Sequence, residues 1–217
     1  VERVKQWNKN SSLFKWGIFL IGLIIMSFGI ALTILADLGS APWDVLHVGL
    51  TQQVGLTVGS WTIIMGFIVL SSAAILTKEF PKLGAFLNMI LVGVFVDIFL
   101  FVFSTPVSLL GQGVMLIAGI IITGFGIGVY ISPQCGAGPR DSLMLAVSQR
   151  TKLSVAQVRF IMEVFVLTIG WFLGGPVFVG TILFSLTIGH VTGISLSLCQ
   201  NWMDRRMERG VKVENIH

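Results

Sequence analysis

Apolar residues gather in six long blocks, at about 14–35, 59–77, 83–103, 111–132, 154–173 and 178–199, with short polar or Gly/Pro-containing stretches between them. The run from Trp16 to Ala36, WGIFLIGLIIMSFGIALTILA, holds no charged residue. At 1.5 Å per helical residue, about 20 such residues cross a hydrocarbon layer of about 30 Å, so each block predicts a spanning helix. The first block exceeds the roughly 7–15 apolar residues of a secretory signal and is expected to stay as a helix. Two shorter segments, 42–53 and 139–150, open with Pro42 and Pro139 and carry Asp44 and Asp141 in their first turn. Proline suits the first helical turn, and a carboxylate suits the positive end of the helix dipole. Twelve residues reach only about 18 Å, too short to cross.

The two short segments belong to a repeat. Shifting the chain by 97 residues sets Phe28-Gly29-Ile30 on Phe125-Gly126-Ile127, Gly39 on Gly136, Pro42 on Pro139, Asp44 on Asp141 and Gln52 on Gln149, and Leu56-Thr57-Val58 on Leu153-Ser154-Val155. Roughly a third of the pairs are identical over about thirty residues, and such internal periodicity defines architecture before any local feature does. Each copy crosses three times. An odd number of crossings inverts the second copy relative to the first. The expected fold is therefore all-α integral membrane: six transmembrane helices as two inverted three-helix repeats, each with a short non-spanning or re-entrant helix. The boundaries are 14–103 and 111–200 within a single membrane domain 1–217, with basic tails at 1–13 and 201–217.

Charge placement agrees. Only 11% of the 217 residues are charged, against about 25% in soluble domains. The basic residues Arg3, Lys5, Lys9 and Lys15 precede the first span, and Lys78 and Lys82 separate the second from the third. Arg140, Arg150, Lys152 and Arg159 lie between the fourth and fifth or just inside the fifth, and Arg205, Arg206, Arg209 and Lys212 follow the sixth. The other three connections have none. Six crossings put all fourteen basic residues on one face, which the positive-inside rule makes cytoplasmic, with both termini there. The face also explains the decoration of the repeat: Trp43, Gln53 and Gly55 stand where the second copy has Arg140, Arg150 and Lys152.

Along Ala31–Leu50 (ALTILADLGSAPWDVLHVGL) and Gly124–Met144 (GFGIGVYISPQCGAGPRDSLM) the sequence resembles the YczE/YitT-type bacterial multispan membrane proteins, the YczE branch in particular. The likeness runs from the first span to the last. The resemblance implies a bacterial plasma-membrane protein with no established enzymatic chemistry. Such proteins are described as predicted membrane proteins or permeases, and no accepted catalytic residues carry over.

Ionisable groups at membrane depth are costly and commonly functional. Glu163 and His190 both fall near the midplane by residue count, Asp97 about 9 Å below the outer end of the third span, and Asn88 nearer that helix's inner end. Glu163 and His190 are candidates for a proton-accepting pair; separate hydrogen bonding between packed helices is the competing reading, and polar helix glue is the competing reading for Asp97 and Asn88. The turn residues Gly39, Pro42, Gly136, Gly138 and Pro139 either start and cap interfacial helices or shape re-entrant half-helices around a shared cavity. GAGPRD lacks the G-x-G-x-x-G spacing of a nucleotide loop.

The function expected is a small-molecule secondary transporter, permease or exporter of the bacterial plasma membrane, coupled to protons. Asp44 and Asp141 would shape opposite gates and Arg140 would attract an anionic group. The alternative is a non-transporting scaffold or regulatory partner that uses the basic C-terminal tail. Cys135 and Cys199 form no metal-ligand spacing, and neither H-E-x-x-H nor G-x-S-x-G occurs. No enzyme activity, cofactor, metal or nucleic-acid partner is expected; lipid, a small solute, a proton and a further copy in an oligomer are the expected partners.

Overall fold

A computed structural model describes residues 9–136 and 138–214. Among them are eight helices: α1 (Lys9–Leu35), α2 (Pro42–Val54), α3 (Val58–Thr77), α4 (Leu83–Val102), α5 (Leu109–Ile131), α6 (Pro139–Arg150), α7 (Val155–Phe172) and α8 (Val179–Glu214). Six of these, all but α2 and α6, are long and apolar enough to cross a membrane. The ends agree with the hydropathy pattern to within a few residues, apart from the start of α1 and the end of α8. Residues 200–209 hold neither glycine nor proline, so the last helix continues past its apolar part to Glu214. Residues 1–8 and 215–217 of the two basic tails lie outside the described residues.

Local chemistry sets several helix starts. Thr57 accepts a hydrogen bond from the Ser60 amide at the start of α3, and Ser154 forms a reciprocal capping box with Gln157 at the start of α7. The short helices α2 and α6 differ. Each has proline in its first turn and no side-chain cap, so each leaves its leading amides to other partners.

The centre of the fold is the seam between α1 and α5. A Cβ added at Gly22 would strike the Tyr130 backbone, one at Gly29 would strike Thr123, and one at Gly126 would strike the Met26 backbone; at Gly119 it would lie 2.8 Å from Thr33 Cγ2. These pairs advance along α1 as they retreat along α5. The helices are therefore antiparallel, with their backbones nearly touching. In lipid no hydrophobic force draws helices together, so close backbone packing at small residues is what binds them.

The antiparallel seam also decides what α2 does. With α3 and α4 crossing, α5 opposes α1 only if α2 does not cross. Continuing the same register, Leu35 stands opposite Ile117, about 12 Å inside the start of α5. Ile131 stands opposite Ile21, about 18 Å inside the start of α1. Each central helix stops short of one face, and a short helix fills the space beyond it. At the first of these ends Gly39 takes a φ of 95°, and a Cβ there would lie 2.7 Å from Thr181 Oγ1. Only glycine accepts both that backbone and that neighbour.

The remaining helices wrap the seam. Helix α4 packs on α1 and α8 on α5; α7 packs on α2 and α3 on α6. Phe19, Leu23, Met26 and Ile30 of α1 meet Val92, Val96 and Tyr130 in one buried cluster. Large side chains such as Phe67, Ile68, Phe165 and Leu186 point outward and stay exposed, as expected where lipid replaces water. Helices α3 and α4 pack together, whereas α7 and α8 hardly touch.

Substituting Gly126→Leu should lower the melting temperature in detergent and reduce the yield of monodisperse protein, because overpacking costs about 1–3 kcal/mol even where a backbone is not struck. Gly113→Leu, in open space on the same helix, should melt like the parent.

Candidate functional site

The first turns of α2 and α6 reach the same cavity. It has a volume of about 240 Å³ and is lined by Pro42, Trp43, Asp44 and His47 from α2 and by Pro139, Arg140, Asp141 and Met144 from α6. Thr62 and Met65 of α3, Asn88 and Met89 of α4, Thr123 and Tyr130 of α5, Arg159 and Glu163 of α7 and Phe184 of α8 also reach it. The tips touch. Arg140 Nη2 lies 3.9 Å from Asp44 Oδ1, and its guanidinium carbon lies 4.9 Å above the centre of the Trp43 ring.

Asp44 is 2% exposed, His47 1%, Thr123 2% and Asn88 7%. Even so, Asp44 Oδ2, His47 Nε2, Asn88 Nδ2 and Thr123 Oγ1 have no hydrogen-bond partner among the described residues. A buried polar atom without a partner costs about 1–3 kcal/mol. Four around one cavity leave hydrogen-bonding capacity there that water or a polar solute would satisfy. The other Asp44 oxygen lies 3.9 Å from His47 Nδ1, which in turn is 3.2 Å from Thr62 Oγ1.

Charge in the site is shaped by burial. Asp44 lies on α2, outside the spanning helices, and desolvation lifts its carboxyl from 3.8 to about 6, the Arg140 charge opposing the rise. Burial and then the Arg140 charge hold the His47 imidazole well below its ordinary range, so it stays neutral beside Asp44 at pH 7. Asp141 is also raised by burial, with Arg159, Arg140 and a 3.4 Å hydrogen bond from the Tyr130 hydroxyl acting in the other direction.

The structure therefore gathers Asn88, Arg140, Asp44, Asp141 and Glu163 around one cavity and leaves two sequence candidates outside it. His190 is on an exposed face of α8, where its Nδ1 lies 3.3 Å from the Leu186 carbonyl, and it makes no pair with Glu163. Glu163 instead accepts a 2.9 Å hydrogen bond from Arg159 Nε, one turn earlier on α7. Asp97 is at the far end of α4, where its carboxylate accepts from Thr57 Oγ1 at 2.5 Å and from the Gly59 amide at 2.7 Å. It ties the start of α3 to α4 and lies away from the cavity lining. Of the turn residues, Pro42, Gly138 and Pro139 line the cavity, while Gly39 and Gly136 shape the approaches to it with positive φ. Among the described residues no three His, Cys, Asp or Glu side chains are grouped as metal ligands.

Sequence reasoning missed His47, Tyr130 and Arg159. Two carried a readable signal: His47 follows Asp44 by three residues and Arg159 precedes Glu163 by four, the spacings that share a helix face. Tyr130, the single tyrosine in the chain, had none.

A family of unknown function, DUF6198, matches residues 13–196. The uncharacterized membrane protein YczE of Bacillus subtilis (strain 168) is 41% identical over 189 residues, covering 87% of this chain and 88% of its own. An uncharacterized protein of Haemophilus influenzae is 35% identical over 83% of each chain, and the uncharacterized YyaS of B. subtilis is 30% identical over 90% of this chain and 99% of its own. No solved structure matches.

The raised Asp44 carboxyl has a definite sign. Its contribution to stability is complete below about pH 3.8 and is lost as pH rises through about 6. Asp44→Asn should therefore melt above the parent at pH 7.5 and level with it near pH 4, as read from melting temperature against pH. Asp97→Ala should lose about 2 kcal/mol in the same measurement, the scale of hydrogen bonds to a charged acceptor.

Proposed function

The chain belongs to the family of unknown function DUF6198, and we propose that it is a secondary transporter or permease for a small solute, made of two inverted three-span repeats that share the central cavity. Equivalent backbone geometry supports the repeat: Asp37 and Gln134, 97 residues apart, both take left-handed φ values of 54° and 57°, and Gly39 and Gly136 both have positive φ. Thr57 and Ser154, also 97 apart, both cap the helix after a short one. The packing exchanges in the same way, α1 on α4 as α5 on α8, and α2 on α7 as α6 on α3.

The observation that carries the reading is the meeting of two uncapped short-helix starts at one cavity lined by unpartnered buried polar atoms. Discontinuous helices with their starts facing a midplane site are the usual substrate architecture of inverted-repeat transporters. The two halves do not pack alike: α3 closes on α4, while α7 and α8 hardly touch. Exchanging those two arrangements would move the opening from one side to the other about a fixed α1–α5 seam. Protons are assigned to Asp44, not to Glu163 with His190, because Asp44 is raised into the physiological range inside the cavity. Both termini and the basic connections face the cytoplasm of the bacterial cell. No reaction chemistry is assigned to the site.

Two measurements test this. In a variant with Cys135 and Cys199 replaced by serine, a cysteine at Ser104 should react with a membrane-impermeant maleimide applied to intact cells, and one at Lys82 should not; the reverse pattern overturns the orientation. In proteoliposomes with an imposed pH gradient, a panel of small organic anions, cations and neutral solutes should include at least one taken up faster than into protein-free vesicles. Arg140→Gln should remove that uptake. A folded, reconstituted protein that moves none of them would favour the scaffold reading.

A further inference from the structure

We infer that the solute is a short amphipathic monocarboxylate whose head group binds Arg140 and whose entry is coupled to proton uptake by Asp44. This rests on the transport reading for its purpose, though its binding step is measurable without flux.

Arg140 is the cation with capacity to spare. Among the described residues its guanidinium makes no hydrogen bond; its near contacts are the 3.9 Å approach of Asp44 and the face of Trp43, with Asp141 and Glu163 acting on it through space. Of its side-chain surface 42% remains free, within a ring of buried groups. Arg159, by contrast, is spent on Glu163 at 2.9 Å. A planar guanidinium with open donors matches a carboxylate edge on. The Asn88 amide nitrogen, buried and unpartnered, supplies a further donor in the same cavity, and the uncapped starts of α2 and α6 add positive potential. Among the described residues lining the cavity Arg140 is the cation with open donors, and one such charge favours a single negative charge over a dianion.

The rest of the wall sets the body of the solute. Met26, Met65, Met89, Met144 and Met162, five of the eight methionines, line the cavity. Flexible thioethers accommodate varied apolar shapes. A volume of about 240 Å³ lies below the usual 300–1,000 Å³ of ligand sites, which limits the body to a short chain.

Asp44 competes for the same guanidinium. While ionised it faces Arg140 and occupies the place of an incoming carboxylate; once protonated it releases that face. The other ionisable groups around it are His47 on its own helix, Asp141 on α6, Arg159 and Glu163 on α7, and Tyr130 on α5, while α3 and α4 present only Thr62 and Asn88. His47 is held neutral by burial, and Arg159 and Glu163 cancel. A proton and a carboxylate entering together leave the charge of the site as it was, which is what an electroneutral symport step requires. The carboxyl of Asp44, lifted to about 6, titrates where such coupling would operate.

The test is calorimetric binding of hexanoate to the full-length protein in detergent at pH 5.5 and 7.5, with hexylammonium and hexanol as chain-matched controls. Hexanoate should bind about 20-fold more tightly at pH 5.5, the ratio set by the protonated fraction of Asp44, and the controls should not bind. Asp44→Asn should bind at pH 7.5 as the parent does at pH 5.5. Arg140→Gln, checked as folded by melting and gel filtration, should lose binding, and Arg140→Lys should retain a weakened form. Binding of hexylammonium in place of hexanoate, pH-independent binding of hexanoate, or no binding by any of the three each overturns the inference. Hexanoate binding without uptake into vesicles would uphold it and sink the transport reading alone.

Discussion

The structure depends on the contact between α1 and α5. Gly22, Gly29, Gly119 and Gly126 let two backbones approach until no side chain fits between them. Because the helices are antiparallel and offset, each ends well inside the layer that its partner crosses. Two pockets of polar backbone would then lie open at depth, where every unpaired amide or carbonyl is expensive. Helices α2 and α6 fill those spaces. The seam is thus the reason that short helices exist here at all, and the reason that their starts meet.

Meeting at that point creates an electrostatic problem, since two positive helix ends and the Arg140 guanidinium converge. Asp44 and Asp141, in the first turn of each helix, offset it. The offset is incomplete in geometry: the ion pair is long at 3.9 Å, and Asp44 keeps one oxygen without a partner among the described residues. A site built only to hold the two tips together would have a short, closed ion pair. An open one with an apolar, methionine-rich wall suits exchange of partners.

Much of this was legible in the sequence. The six spans follow from apolar length, and the starts of α2 and α6 from proline and aspartate. The 97-residue shift pointed to matched turns, and the matched φ values of Asp37 and Gln134 are the backbone counterpart of that pattern. What hydropathy cannot give is direction around a helix axis. Glu163 and His190 lie at similar depth, yet His190 turns away from the cavity and Glu163 finds Arg159 on its own helix. Asp97 has a depth that suggests function, and its hydrogen bonds to Thr57 and Gly59 become visible only when α3 is seen to begin beside it. The Arg140–Trp43 contact joins positions 97 residues apart, a consequence of the seam register that no local pattern encodes.

The central claim, that the two short-helix starts face one another across a single cavity, is open to a direct measurement. Cysteines at Trp43 and Arg140, in a chain whose Cys135 and Cys199 are serine, can be treated in native membranes with a short bifunctional methanethiosulfonate. The linked peptides can then be identified by mass spectrometry. An intramolecular 43–140 link in high yield is the expected result. Both cysteines reacting singly, with no link between them, would contradict the meeting of the tips and everything built on it.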